Sequence, residues 1–300
     1  MANLKELQNR IKSVKNTQKI TKAKQMVAAA KLRRAQEAAE SSRPYSERIG
    51  SVISNLAASM GGEGTMPALL GGNGKSDTVL LVVATADRGL CGGFNTNLVR
   101  KAREEIVTLQ GQGKTVKLFL IGKKGYDQLN RLYSENVVEF ISLKEERRIT
   151  AGIARGIGEK ITSMFEAGEF DVCKLIFAEF QSVMSQKAVS RVIIPANAVE
   201  AENEPNETVS GPDLKGAIYD YEPDEAGILE VLLPRNINSQ IYSALLENMA
   251  GEQASSMTAM DNATRNAGDL ISSLTLKFNR ARQAKITSEL IEIISGAEAL

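Results

Sequence analysis

Two glycine-containing segments are where this sequence offers chemistry. Gly74-Lys75-Ser76 has the ending of a phosphate-binding loop, in which backbone N–H groups and a lysine cradle phosphates. Such a loop needs a glycine five positions before its second one, where this chain has Leu69, and it must follow a strand and open a helix. Here the strand-like run comes afterwards, so the segment reads as linker. Asp87-Arg-Gly-Leu-Cys-Gly-Gly93 is better placed, between an apolar run and a helical stretch, where α/β folds bind ligands. Its glycines would expose N–H groups to an anion. Its spacing does not match G-x-G-x-x-G, however, and no acidic residue sits where a ribose partner belongs. A tight structural turn is the favoured reading, with Cys91 as a small buried thiol rather than a nucleophile.

Composition removes other chemistries. The chain of 300 residues has no His and two Cys, Cys91 and Cys173, far apart in sequence. A Ser-His-Asp triad, a histidine proton shuttle and His-ligated metal are excluded, and neither a disulfide framework nor a zinc cluster fits. This cysteine usage suits a reducing, cytoplasm-like compartment. Lys+Arg 37 against Asp+Glu 36 argues against a general nucleic-acid binder. The basic run Lys12, Lys15, Lys19, Lys22, Lys24, Lys31, Arg33, Arg34 lacks interleaved aromatics and reads as a solvated face or one complementary to an acidic partner. Asn206-Glu-Thr208 matches a glycosylation acceptor by chance. No apolar run approaches the roughly 18–20 residues that span a bilayer. Met1–Lys15, with Glu6 and no apolar core, reads as neither signal nor transit peptide.

The elements that must hold these segments are two long terminal helices and a central domain. From Asn3 to about Leu56, apolar residues recur at heptad steps: Leu4, Leu7, Ile11, Val14, then Leu32, Ala35, Ala39, then Ile49, Ile53, Leu56. Between these blocks the register continues through Gln18, Thr21, Gln25 and Ala28, while Ile20, Ala23, Met26 and Val27 drift off it. From about Asn236 to Ser295 a second seam runs Ile237, Ile241, Leu245, Met249, Gln253, Ser256, Met260, Ala263, Ala267, Leu270, Leu274, Phe278, Ala281. Pro234 is expected to break or kink whatever precedes it. Helices of these lengths run about 80 and 90 Å, whereas a compact globule of this size is about 50 Å across. Both are therefore expected to project, paired as an antiparallel coiled coil. The bland alternative is two bundle helices, each broken once.

Between them, strands are expected at Thr78–Ala84, Val116–Ile121, Cys173–Phe180 and Arg191–Pro195, with a weaker one at Val137–Ile141. Helices are expected at about Asn95–Gln110, Tyr126–Leu132 and Thr150–Ala167. Residues 58–76 read as a Gly-rich linker and 197–215 as a polar surface loop. The fold class is α/β: a long antiparallel coiled coil of N- and C-terminal helices plus a central Rossmann-like domain, divided as 1–57, 75–200 and 216–300.

Specific strings go further. Asn16-Thr-Gln-Lys-Ile-Thr-Lys-Ala23, Met26-Val-Ala-Ala-Ala-Lys31, Asp87 through Phe94-Asn95, Glu252-Gln through Met257-Thr-Ala-Met260, Arg280-Ala-Arg-Gln-Ala284 and Glu292-Ile-Ile-Ser-Gly296 closely resemble the gamma subunit of the F-type ATP synthase. The resemblance is ordered from end to end and strongest at the termini. The lack of a transit peptide and of a chloroplast-type regulatory cysteine pair points to a bacterial member. The resemblance implies a non-catalytic rotor shaft that carries no cofactor. Its coiled coil would insert into a hexamer of alpha and beta subunits, and its head would sit with epsilon on the membrane c-ring. The chain would be peripheral at the cytoplasmic face of the inner membrane. Two other readings remain: an α/β enzyme binding a nucleotide at Asp87–Gly93 with helical dimerisation arms, and a coiled-coil adaptor.

The same resemblance implies site residues. It places position 24 opposite 256, so that paired positions add to about 280. Leu4 then faces about Leu276, and Leu32 about Asn248. Pairing ends near Pro44, and residues beyond about 280 stand alone. Ile286, Leu290, Ile291, Ile293 and Ile294 would form an apolar bearing tip. Lys24, Ser256, Arg282 and Gln283 would contact beta subunits, the last two at their catch loops. Tyr219, Tyr221, Glu222 and Asp224 would touch the c-ring and epsilon. Family members usually carry Met at the place of Lys24 and Arg at that of Ser256, so the cation here has changed helix.

Overall fold

A computed structural model describes residues 4–59, 66–146, 148–196 and 225–298. Contacts divide the chain into two compact units, Lys31–Ser255 and Met1–Ala30 with Ser256–Leu300. Two long helices, α1 (Leu4–Ser59) and α6 (Glu225–Glu298), contribute to both.

The larger unit is built on a five-stranded sheet. Its elements run α2 (Ala68–Gly71), β1 (Thr78–Ala84), α3 (Phe94–Gly111), β2 (Thr115–Ile121), α4 (Lys123–Tyr133), β3 (Val137–Ile141), α5 (Ala151–Glu166), β4 (Val172–Phe180) and β5 (Gln186–Ile194). The strand order is β3-β2-β1-β4-β5, parallel except for the antiparallel β4–β5 pair. β5 begins five residues earlier than the sequence pattern suggests, because its first half, Gln186–Ser190, mixes polar and apolar residues that are half-buried save the exposed Lys187, instead of forming an apolar run. The apolar run Thr78–Ala84 is central and covered on both faces, as a parallel strand with no polar alternation must be. Val79, Leu81 and Val83 pack with Leu98, Ala102 and Ile106 of α3 and Leu129 of α4. Leu80, Val82 and Ala84 pack with Ala154, Ile157 and Ile161 of α5 and Ile237, Ile241, Ala244 and Leu245 of α6. The last helix is thus part of the core of this unit.

Two helical expectations are corrected here. α6 starts at Glu225 and runs through Pro234. The ring removes one helical hydrogen bond, a cost of about 3 kcal/mol. Burial of Leu229 and Leu233 on the preceding turns returns about 2 kcal/mol each. They pack with Ile49, Ile53 and Leu56 of α1 and with Leu70 of α2. Pairing of the long helices therefore does not end at Pro44. It continues through a Ser46 Oγ–Ser239 Oγ hydrogen bond of 2.7 Å to that apolar cluster.

In the smaller unit the α1 seam is the heptad read from sequence. Leu4, Leu7, Ile11, Val14, Gln18, Thr21, Gln25 and Ala28 are its half-buried or buried residues, while Ile20, Met26 and Val27 are exposed. On α6 the inward positions include Met260, Ala263, Thr264, Ala267, Ile271, Leu274, Phe278 and Ala281. Ile271 replaces the expected Leu270, which is 43% exposed.

Candidate functional site

The middle of the two-helix seam is polar. Gln18 Nε2 donates to the Thr264 carbonyl at 3.4 Å, Thr21 and Thr264 hydroxyls share a hydrogen bond of 2.7 Å, and Gln25 Nε2 donates to Asp261 Oδ1 at 3.0 Å. Asp261 is also paired with Arg265 one turn along α6. Polar seam residues cost stability against an apolar pair but fix register and orientation, because a slipped helix would strand their donors.

These bonds set the register. Paired positions add to about 285 rather than 280, an offset of more than one helical turn. Leu276 accordingly does not face Leu4; it is 54% exposed. Lys24 lies level with Asp261, next to the Gln25 contact, and is exposed. Ser256 is half-buried about 7 Å away along the axis, so the two residues are not opposite one another. For Leu32 the same offset replaces Asn248 with a level near residue 253; Asn248 instead turns its amide to β4.

Past Ala281 every described α6 side chain up to Ala297 is exposed, including Arg282 and Gln283. Here α6 has outrun the described start of α1 at Leu4. Ile286, Leu290, Ile291, Ile293 and Ile294 are between 50% and 71% exposed. At 3.6 residues per turn they cover about 160° of the helix circumference. Lys285 pairs with Glu289 at 3.5 Å with both side chains more than half exposed, a contact of little energetic weight. Tyr219, Tyr221, Glu222 and Asp224 lie outside the described residues, as does the loop 197–215.

The Asp87–Gly93 loop is anchored by side chains at its two ends, Asp87 and Asn95. Asp87 accepts from the Lys123 N–H at 2.9 Å, the Ser142 hydroxyl at 2.8 Å and the Leu143 N–H at 2.9 Å, tying α4 and the end of β3 to β1. Asn95 accepts from the Ala86 N–H and donates to Cys91 Sγ. Cys91 is buried, and burial raises its pKa, so it is held as a thiol. The cavity beside this loop, between Gly93, Phe94, Gln186 and Ser255, holds about 60 Å³. Ligand sites usually hold roughly 300–1,000 Å³. Lys75, in the other glycine segment, donates its N–H to Asn73 Oδ1 in a turn that leads into β1.

Sequence reading missed Glu252, which lies under the same loop. Burial raises its pKa to about 7; Asp87 adds to the rise, and Lys31 and Arg88 oppose it. Its sequence signals were its place one residue before a seam position and at the head of the Glu252-Gln string, neither of which marks it as buried.

Residues 3–300 match the family model described as ATP synthase. The ATP synthase gamma chain of Maricaulis maris is 60% identical over the whole length of both chains, and that of Rhizobium rhizogenes is 57% identical, again over both whole chains. The chain belongs to the ATP synthase gamma-chain family. It is therefore a subunit that is not itself catalytic. The fold of the gamma-chain family is seen in distant solved structures. A chain of the Euglena gracilis mitochondrial ATP synthase in rotational state 3 matches with a TM-score of 0.68 at 18% identity, covering 99% of this chain and 94% of that one. A chain of the Tetrahymena thermophila mitochondrial ATP synthase central stalk and c-ring matches at 0.60 and 23% identity, covering 81% and 99%.

Proposed function

We propose that this chain is the central rotor shaft of a bacterial ATP synthase, coupling proton-driven rotation of a c-ring to ATP synthesis in a hexamer of alternating alpha and beta subunits. The reading rests most on one feature: a two-helix seam that gives way to a single helix with an exposed apolar arc. In water that arc is a liability. Inside an apolar sleeve it makes many weak, non-directional contacts and few hydrogen bonds, which is what a turning bearing needs. Ile286, Leu290, Ile291, Ile293 and Ile294 are assigned to that bearing.

Where two helices thin to one, Arg282 and Gln283 are assigned to beta-subunit catch loops. Their exposed donors can form charge-assisted bonds with acidic loops and break them again with rotation. Lys24 and Ser256 are assigned to beta-subunit contacts nearer the polar seam. Tyr219, Tyr221, Glu222 and Asp224 are assigned to the c-ring and epsilon, which places the subunit peripherally at the cytoplasmic face of the inner membrane. Among the described residues no helix is long and apolar enough to cross a membrane.

The test is reconstitution with alpha and beta subunits of a close relative, with a bead attached to the larger unit. ATP-driven unidirectional rotation is the expected result; a chain that never enters an active complex would refute the reading. A nucleotide titration of the isolated chain addresses the enzyme alternative, and tight stoichiometric binding would favour it. Cysteines introduced at 219–224 that crosslink only to alpha or beta would refute the c-ring assignment.

A further inference from the structure

β4 outlasts the strand beside it. The β1–β4 ladder ends with Val83 opposite Ile176, while β4 continues to Phe180 with β5 on its other side. Buried N–H groups on an unladdered edge need other acceptors. They find them on α6: the Ala178 N–H donates to Asn248 Oδ1 at 3.3 Å, and the Phe180 N–H donates to Glu247 Oε2 at 3.3 Å. Two adjacent side chains of a helix thus occupy the edge that β1 leaves open.

The surroundings converge on the same point. Arg43 of α1, Glu179 of β4 and Arg191 of β5 all face the Glu247 carboxyl, whose pKa is raised chiefly by burial. Arg191 reaches Glu179 at 3.8 Å and lies over the Phe177 ring at 5.1 Å. One turn along α6, Gly251 permits a close approach: a Cβ there would lie 3.0 Å from the Phe94 ring and 3.3 Å from the Gln186 side chain. Both long helices and both strands of the hairpin meet at Glu247.

Apolar packing of α6 on the sheet is non-directional, and a small slide or turn of the helix conserves most of it. Hydrogen bonds to a strand backbone are directional and break with such a movement. We propose that Glu247 and Asn248 are positioning residues that lock α6 in register on the β4 edge, so that load on the α/β domain enters the helix there instead of being lost to slippage. The inference rests on the rotor reading and adds the joint at which torque crosses from sheet to helix.

The test compares wild type with the Glu247→Ala/Asn248→Ala variant in two settings. Unloaded ATP hydrolysis by the soluble complex with alpha and beta should stay at the wild-type rate. ATP-driven proton pumping by the whole complex in vesicles should stall at a severalfold smaller gradient. The Ala178 and Phe180 amides should exchange about fivefold faster or more. Glu247→Gln with Asn248 intact, which keeps an acceptor oxygen, should pump like wild type. An unchanged stall gradient despite faster exchange overturns the proposal, as does a Gln variant as impaired as the Ala variant. Should the double variant fail to fold, Asn248→Ser, whose shorter side chain withdraws the acceptor, carries the same expectation. The wild-type complex separates the two readings. If it does not pump, the rotor reading falls; if it pumps and the variant stalls no earlier, only the joint is overturned.

Discussion

Thr21 Oγ1 and Thr264 Oγ1 share a hydrogen bond of 2.7 Å across the two-helix seam. That bond, with Gln25–Asp261 four residues along, fixes which levels of α1 and α6 meet. It puts Lys24 level with Asp261 and leaves Ser256 about 7 Å away along the axis. The cation that the resemblance implies at position 256, and that this chain carries at 24, would thus differ in place both across the seam and along it.

This geometry predicts independence. Lys24→Met, Ser256→Arg and the double variant should have additive effects on coupling efficiency, within about 0.5 kcal/mol when expressed as free energies. If Ser256→Arg alone is clearly worse than the double variant, the two positions compensate in spite of their separation.

Arg282→Ala/Gln283→Ala should lower ATP turnover of the assembled complex severalfold. It should leave the melting temperature of the isolated chain unchanged, because both side chains are exposed and neither has a bonding partner among the described residues. Unchanged assembly and turnover would mean that this pair is only a solvated stretch of helix.

Gly122→Ala should be among the most destabilising single changes. Gly122 has φ +90°, and a Cβ there would lie 2.1 Å from the Thr85 carbonyl oxygen, a backbone atom that the β1–β2 pairing holds in place. The expected loss is about 3 kcal/mol or more, read as a lower urea midpoint. A midpoint within error of wild type would show that the β1 end can shift.

Glu252 predicts a pH dependence. Its folded pKa of about 7 lies above its ordinary value of 4.5. The native state then holds a proton that the unfolded chain releases, so its contribution to stability is full below pH 4.5 and is lost as pH rises through 7. Glu252→Gln should flatten this segment of the stability curve and be the more stable protein at pH 8, by on the order of 1–3 kcal/mol. Parallel curves for the two proteins between pH 4 and 8 would refute the assignment.

Asp171 predicts the opposite limb. It accepts from the Asn73 amide and from the Asp77 and Thr78 N–H groups, and these bonds hold its pKa below the usual carboxylate range. Its contribution is present above its unfolded pKa of about 3.9 and is lost as pH falls through the lower folded value. Asp171→Asn should cost about 1–3 kcal/mol at pH 7 and less at pH 2, by thermal melts at both values. An equal cost at both would mean that the charge contributes nothing.

Periodicity alone determined much of this protein. The α1 seam from Leu4 to Ala28 was legible because burial on a two-helix stripe repeats every 3.5 residues, even through its polar Gln18, Thr21 and Gln25. β1 was legible because a strand covered on both faces must be apolar throughout. The exposed apolar arc past Ala281 was legible because α6 outruns the heptad stripe of α1, and among the described residues none covers it. Tertiary structure decided the rest. A shift of five residues leaves the spacing of both stripes unchanged, so tertiary contacts such as Thr21–Thr264, Gln25–Asp261 and Ser46–Ser239 were needed to choose 285 over 280. Pro234 reads locally as a break, but packing of Leu229 and Leu233 on α1 overrides it. The direction of β5, the burial of Glu252 and the seating of Asn248 on the β4 edge all depend on residues distant in sequence. Such meetings leave no periodic trace, because they follow from where the packed sheet places a helix.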